Sequence, residues 1–207
     1  MAIWIFTLFF LCTAFFVFNS YRKSRNIRLM YIREAPSEWK WEPVRNRLFP
    51  TQDWFKGRFE HFQAALALIP LKQHSFSSAI TPFFMVHIVM EIPSLSPLDI
   101  VARSEAPHNS DTEALGLLQG KNIDLLPEKI RQVMRETVVA KENILKDFSL
   151  CLRDRLTVDN HLLLKSLLPE AKVILIADYI SDGNHTNFFP DTMRDIGRLA
   201  AVIEENL

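Results

Sequence analysis

The chain has 207 residues, 48% of them hydrophobic, and its 24 Lys and Arg balance 24 Asp and Glu, so the formal net charge is zero. This composition supports one domain with a substantial core and argues against the basic surface of a nucleic-acid-binding protein. Two cysteines cannot build a disulfide framework, and the five glycines form no G-x-G-x-x-G or G-x-x-x-x-G-K pattern, which argues against nucleotide binding.

The first predicted element is an apolar helix over residues 1–21. Residues 2–18 carry no charged side chain and span about 26 Å as a helix, which residues 19–21 extend to about 30 Å, the thickness of a bilayer core. A cleaved signal peptide and a buried core helix are the alternatives, disfavoured by the lack of a preceding basic residue and of a polar face. We therefore predict a single transmembrane anchor that places in lipid the side chains of Trp4, Phe6, Phe9, Phe10, Phe15, Phe16 and Phe18.

A basic collar follows the apolar run, with no acidic residue between positions 21 and 33. Its members are Arg22, Lys23, Arg25, Arg28 and Arg33. Because Lys and Arg beside a spanning helix stay in the cytoplasm, we expect the N-terminus outside and the remaining chain cytoplasmic, at a bacterial inner membrane. The collar would rest on the anionic lipid bilayer. Residues 1–63 as a whole hold ten Lys or Arg and five Asp or Glu.

Residues 22–56 are predicted to form a juxtamembrane arm, because three Trp and three Pro between positions 34 and 56 do not resemble a flexible linker. Trp39, Trp41 and Trp54 are candidates for contact with a membrane interface or a partner protein. Burial in the protein's own core is the alternative that the sequence leaves open.

Residues 57–207 are predicted to form one soluble domain. Apolar or alternating runs bounded by turn residues predict antiparallel strands at 59–71, 83–92, 98–103, 150–155 and 172–179. The first of these runs contains QAALALI and could equally be helical. Residues 162–168 fit neither pattern clearly.

Helical signals in this domain alternate with the strand signals. A capping box at Ser110–Glu113 precedes a short helix at 114–118 that Gly120 ends, and Pro127 opens a longer helix with apolar residues at helical spacing as far as Phe148. Asp191 is predicted to cap the last helix. The fold class is therefore α+β: an N-terminal transmembrane helix, then an antiparallel sheet covered by two or three helices.

One polar cluster follows the strand at 172–179. Asp178, Asp182, His185 and Asp191 could bind a metal or perform acid–base chemistry. An ordinary turn is the favoured interpretation, because Asp, Gly and Asn are turn formers. We predict no catalytic residue, no metal and no cofactor, since no two histidines lie one to five residues apart and no C-x-x-C occurs.

Three functions fit these patterns. The preferred hypothesis is a non-catalytic accessory or scaffold subunit of a larger membrane complex, which acts by binding other subunits. A membrane-surface lipid sensor would use the basic collar and the Trp-rich arm. A membrane-tethered enzyme would use the polar turn at 178–191.

Overall fold

The computed structural model describes residues 2–45, 52–71, 83–93, 95, 99–105, 117–142, 144–155, 167–181 and 188–207. Within these ranges, eight antiparallel strands form one sheet with the order β1-β2-β3-β4-β8-β7-β5-β6. The strands are β1 Glu42–Val44, β2 Asp53–Phe59, β3 Phe62–Pro70, β4 Phe84–Ile92, β5 Val101–Glu105, β6 Leu117–Lys121, β7 Lys146–Asp154 and β8 Val173–Ser181. The α+β architecture with an antiparallel sheet is thus as the sequence predicts.

Three α-helices accompany the sheet within the described residues: α1 Ala2–Glu34, α2 Glu128–Glu142 and α3 Phe188–Asn206. Short 3-10 turns lie at Ser37–Trp39 and Ile123–Leu125. Apolar side chains at helical spacing bury one face each of α2 and α3 against the sheet, which explains why both sequences form packed helices. The residues buried in this way are Ile130, Met134, Val138, Met193, Ile196, Leu199, Ala200 and Ile203.

The sheet has an apolar cluster on each face. The helix-covered face holds the larger core, which also includes Phe62, Phe84 and Phe148. The opposite face carries a smaller cluster in which Leu167 and Leu168 pack with residues of β2, β3, β4 and β8. The central strands are therefore buried on both sides, which accounts for their nearly continuous apolar sequences.

Three local predictions differ from the structure. Of the short helix predicted at 114–118, Leu117 and Leu118 belong to strand β6, which pairs with β5, while residues 114–116 and the capping box lie outside the described residues. Helix α2 ends at Glu142, and Phe148 belongs to β7 instead, where its buried side chain follows strand alternation. Asp191 lies in the first turn of α3 and does not precede the helix, which begins at Phe188.

The predicted transmembrane anchor is wrong. Among the residues that the structure describes, no helix combines the length and the apolar character needed to cross a bilayer. The uncharged apolar run of α1, residues 2–18, amounts to about 26 Å, and a full span of about 30 Å takes in polar Asn19 and Ser20. The single-pass placement, with the N-terminus outside and a cytoplasmic domain, depended on that anchor and falls with it.

Candidate interaction surface

The N-terminal half of α1 exposes an unusual amount of apolar surface. We call residues Trp4–Phe18 the apolar segment. Every side chain in it is exposed, and its only hydroxyls, on Thr7 and Thr13, sit among large apolar residues; Thr13 Oγ1 donates to the Phe9 carbonyl within the helix. Exposed fractions of 59% to 79% occur at Trp4, Ile5, Phe6, Leu8, Phe9, Phe10, Leu11, Phe15, Phe16, Val17 and Phe18.

The C-terminal half of the same helix is docked on the domain. Arg28 is 1% exposed, and its Nε donates to Asp53 Oδ2 at 2.6 Å, at the start of strand β2. Arg25 lies 3.8 Å from the other oxygen of the same carboxylate. A buried guanidinium is tolerated only when a charged partner compensates for its lost hydration, so this contact fixes the helix to the sheet.

A second polar contact lies one turn further along α1. Tyr31 is fully buried, and its hydroxyl donates to Ser181 Oγ at 2.5 Å, at the end of β8. Burial raises the pKa of the neighbouring Tyr179 well above 10, and the adjacent Tyr31 adds to this increase. The Tyr31 ring also packs edge-on against Phe84 at 5.4 Å and in a tilted arrangement against Phe189 at 5.6 Å. Helix α1 is therefore anchored by both a polar and an aromatic contact.

The residues of the predicted basic collar do not act alike. Arg28 is buried in its ion pair with Asp53. Arg25 interacts with the same carboxylate, but its side chain is 55% exposed. Arg22, Lys23 and Arg33 are exposed. The surface charge of this part of α1 is therefore lower than a count of basic residues indicates.

The three tryptophans of the predicted arm belong largely to the domain itself. Trp39 and Trp54 are 4% and 6% exposed, on opposite faces of the sheet, and Trp41 is half-buried. Trp39 packs against Phe59 with ring centroids 5.4 Å apart. Their location corresponds to the burial that the sequence left open as an alternative.

Of the four residues of the predicted polar turn, the structure describes Asp178 and Asp191, and each has a separate partner. Asp178 lies on β8 and pairs with Nδ1 of His87, directly opposite it on β4, while Asp191 binds Arg194 at 2.6 Å in the first turn of α3. Asp182 and His185 lie outside the described residues. The His87–Asp178 pair was not predicted, because cross-strand register cannot be read from two distant segments.

Within the ranges that the structure describes, no three His, Cys, Asp or Glu side chains are grouped closely enough to hold a metal ion. Burial raises the pKa of Glu91, while Lys56 and Arg155 oppose the increase and Glu170 adds to it.

Comparisons with family models, curated proteins and solved structures find no match for this chain.

Proposed function

We propose that this protein is a non-catalytic accessory subunit that attaches to a larger assembly through the apolar segment of α1. Its partner is a protein whose contacting surface consists of apolar helices. The observation that carries the proposal is the exposure of eleven large apolar side chains, each at 59% or more, on one continuous helix. Exposed apolar areas of this kind mark interaction sites, because leaving them in water is costly.

The shape of the segment favours partner helices over adsorption on a surface. Helices that lie on a lipid surface have one apolar and one strongly polar face. The apolar segment has bulky apolar side chains all round, and such a helix is normally buried on every side. Several partner helices packed around it would provide that environment.

The docking of α1 supports the same function. Arg28 and Tyr31 attach the helix to two different strands, β2 and β8, at points 25 and 150 residues away in sequence. The apolar segment continues from these contacts as one uninterrupted helix. A partner bound to the segment would therefore hold the whole domain in a defined orientation.

Site-specific photo-crosslinking tests this proposal. A photoreactive residue replaces Phe9 or Phe16 in the full chain, expressed in its own cells, and the control replaces Leu125, which is 64% exposed outside α1. We expect positions 9 and 16 to crosslink to the same defined protein, at a stoichiometry that the Leu125 position does not reproduce. Crosslinks to lipid alone, or no crosslinks, would reject a protein partner.

A further inference from the structure

A cationic cleft lies at the end of the sheet formed by β1, β2 and β3. It has a volume of about 450 Å³ and is open to solvent. Its basic lining residues are Lys40, Lys56 and Arg58, and all three are exposed. The amide of Gln63 and the carboxylate of Glu42 also line it. It is separate from the apolar segment of α1.

Strand geometry explains why these side chains converge. Lys56 and Arg58 are two residues apart on β2 and therefore point to the same face of the sheet. Gln63 lies opposite Arg58 on β3, so its amide lies beside the guanidinium-bearing position. Lys40, which follows a 3-10 turn in a left-handed conformation with φ of 49°, also lines the cleft.

The charges of the cleft are not balanced internally. Within the described part of the chain, none of Lys40, Lys56 and Arg58 forms a salt bridge. Glu42 faces Lys56 across β1 and β2, and Glu91 on β4 interacts with Lys56 through space. His61, also on the lining, is bound to Glu204 at 2.7 Å. The lining holds three cations against the carboxylate of Glu42, and Glu91 offsets part of the charge of Lys56, so the cleft keeps an excess of positive charge.

We propose that this cleft binds a phosphate group. A phosphate carries up to two negative charges near neutral pH, so a cleft with an excess of positive charge attracts it. Arg58 supplies planar paired N–H donors suited to two phosphate oxygens, the two lysines supply compact charges, and Gln63 adds an amide donor. The phosphate belongs either to a small phosphorylated molecule or to a lipid headgroup.

Binding is measured on the full chain in an uncharged detergent, by calorimetry with inorganic phosphate. A second arm measures association with phosphatidylcholine vesicles that contain or lack phosphatidic acid. The test variant is Lys56→Ala with Arg58→Ala, and the matched control is Lys129→Ala with Arg135→Ala on α2, which also removes one lysine and one arginine. Glu42→Gln removes the opposing charge.

We expect the test variant to bind phosphate at least about tenfold more weakly, because two charge-assisted hydrogen bonds are lost, and the control to bind normally. Glu42→Gln should bind several-fold more tightly, and added salt should weaken binding because the site is exposed. Dependence on phosphatidic acid without binding of inorganic phosphate identifies a lipid headgroup, and the reverse identifies a small molecule. Absence of binding in both arms, or equal loss in the control, would overturn the proposal, whether or not the apolar segment has a protein partner.

Discussion

Arg28 Nε lies 2.6 Å from Asp53 Oδ2, and this contact joins the N-terminal helix to the first long strand of the sheet. The Arg28 side chain is 1% exposed and that of Asp53 is 14% exposed. Removal of one partner leaves the charge of the other buried without its main counter-charge, and this destabilises the folded state strongly. The pair therefore makes α1 part of the domain, although its apolar segment projects from it.

Replacement of Arg28 by Met tests this relationship. We expect the free energy of unfolding to fall by about 3 kcal/mol, because the Asp53 carboxylate loses its principal buried counter-charge. Urea unfolding measures the change, and the control is Arg33→Met, which removes an exposed charge from the same helix. Equal and small effects of the two substitutions would show that the Arg28 contact does not hold the helix.

The Tyr31–Ser181 hydrogen bond gives a second test of docking. Tyr31→Phe leaves the buried Ser181 hydroxyl without this donor and should lower the free energy of unfolding by about 1–2 kcal/mol. Ser181→Ala and the double variant complete a double-mutant cycle. We expect the second substitution to lower the free energy of unfolding by less when the first is present. Additive decreases would argue against a direct hydrogen bond.

Packing between α3 and the β2–β3 hairpin depends on Gly197. A Cβ at this position would collide with the Phe59 ring. Alanine within a helix normally stabilises by about 1 kcal/mol relative to glycine, but here we expect Gly197→Ala to destabilise by about 1–3 kcal/mol.

The matching experiment repeats Gly197→Ala in a Phe59→Ala background, with thermal unfolding as the measurement. The added methyl group should then cost much less or become stabilising, because the ring that it meets is absent. Exposed Arg198→Ala is the control and should change stability by no more than about 0.5 kcal/mol. A penalty that persists without the ring would place the strain elsewhere.

Tyr179 predicts how stability depends on alkaline pH. Its pKa is raised well above 10 by burial first and by Tyr31 second. In the unfolded chain the same phenol ionises near pH 10, so above that pH the unfolded state binds fewer protons than the native state. Its contribution is fully present below pH 10 and is lost progressively as pH rises towards the native pKa.

Unfolding curves between neutral and strongly alkaline pH measure this loss. Tyr179→Phe should flatten the decline above about pH 10, because phenylalanine has no proton to release. The neutral part of the curve supplies the reference. A decline of the same slope in the variant would exclude Tyr179 as its source.

Much of the sheet could be predicted from the sequence. Residues 83–92 and 172–179 form strands β4 and β8 almost as predicted, because continuous apolar runs of that length bounded by turn residues suit strands buried on both faces. The run at 59–71 contributes Phe62–Pro70 to β3, which resolves its helix-or-strand ambiguity. The spacing of Ile130, Met134 and Val138 also predicted the buried face of α2.

Contacts between residues far apart in the sequence could not be predicted from it. Nothing around Arg28 distinguishes it from Arg22 or Arg33 until Asp53 is placed beside it, so a count of basic residues overestimated the exposed charge. Likewise, His87 meets Asp178 only because β4 and β8 are neighbours in a particular register. Lys40 and Lys56 line the same cleft, and the sequence around Lys40 does not predict its left-handed backbone conformation. Such contacts depend on tertiary structure, which local patterns do not contain.

The native mass of the complex tests the central claim most directly. The full chain is purified from its own cells in a mild uncharged detergent, and its protein mass is determined by native mass spectrometry. We predict a particle heavier than the 24.0 kDa chain, with a second protein at fixed stoichiometry that dissociates when Phe9 and Phe16 are both replaced by Ser. A particle that contains only the single chain, or a second protein unaffected by those substitutions, would contradict the proposal that the apolar segment binds a partner.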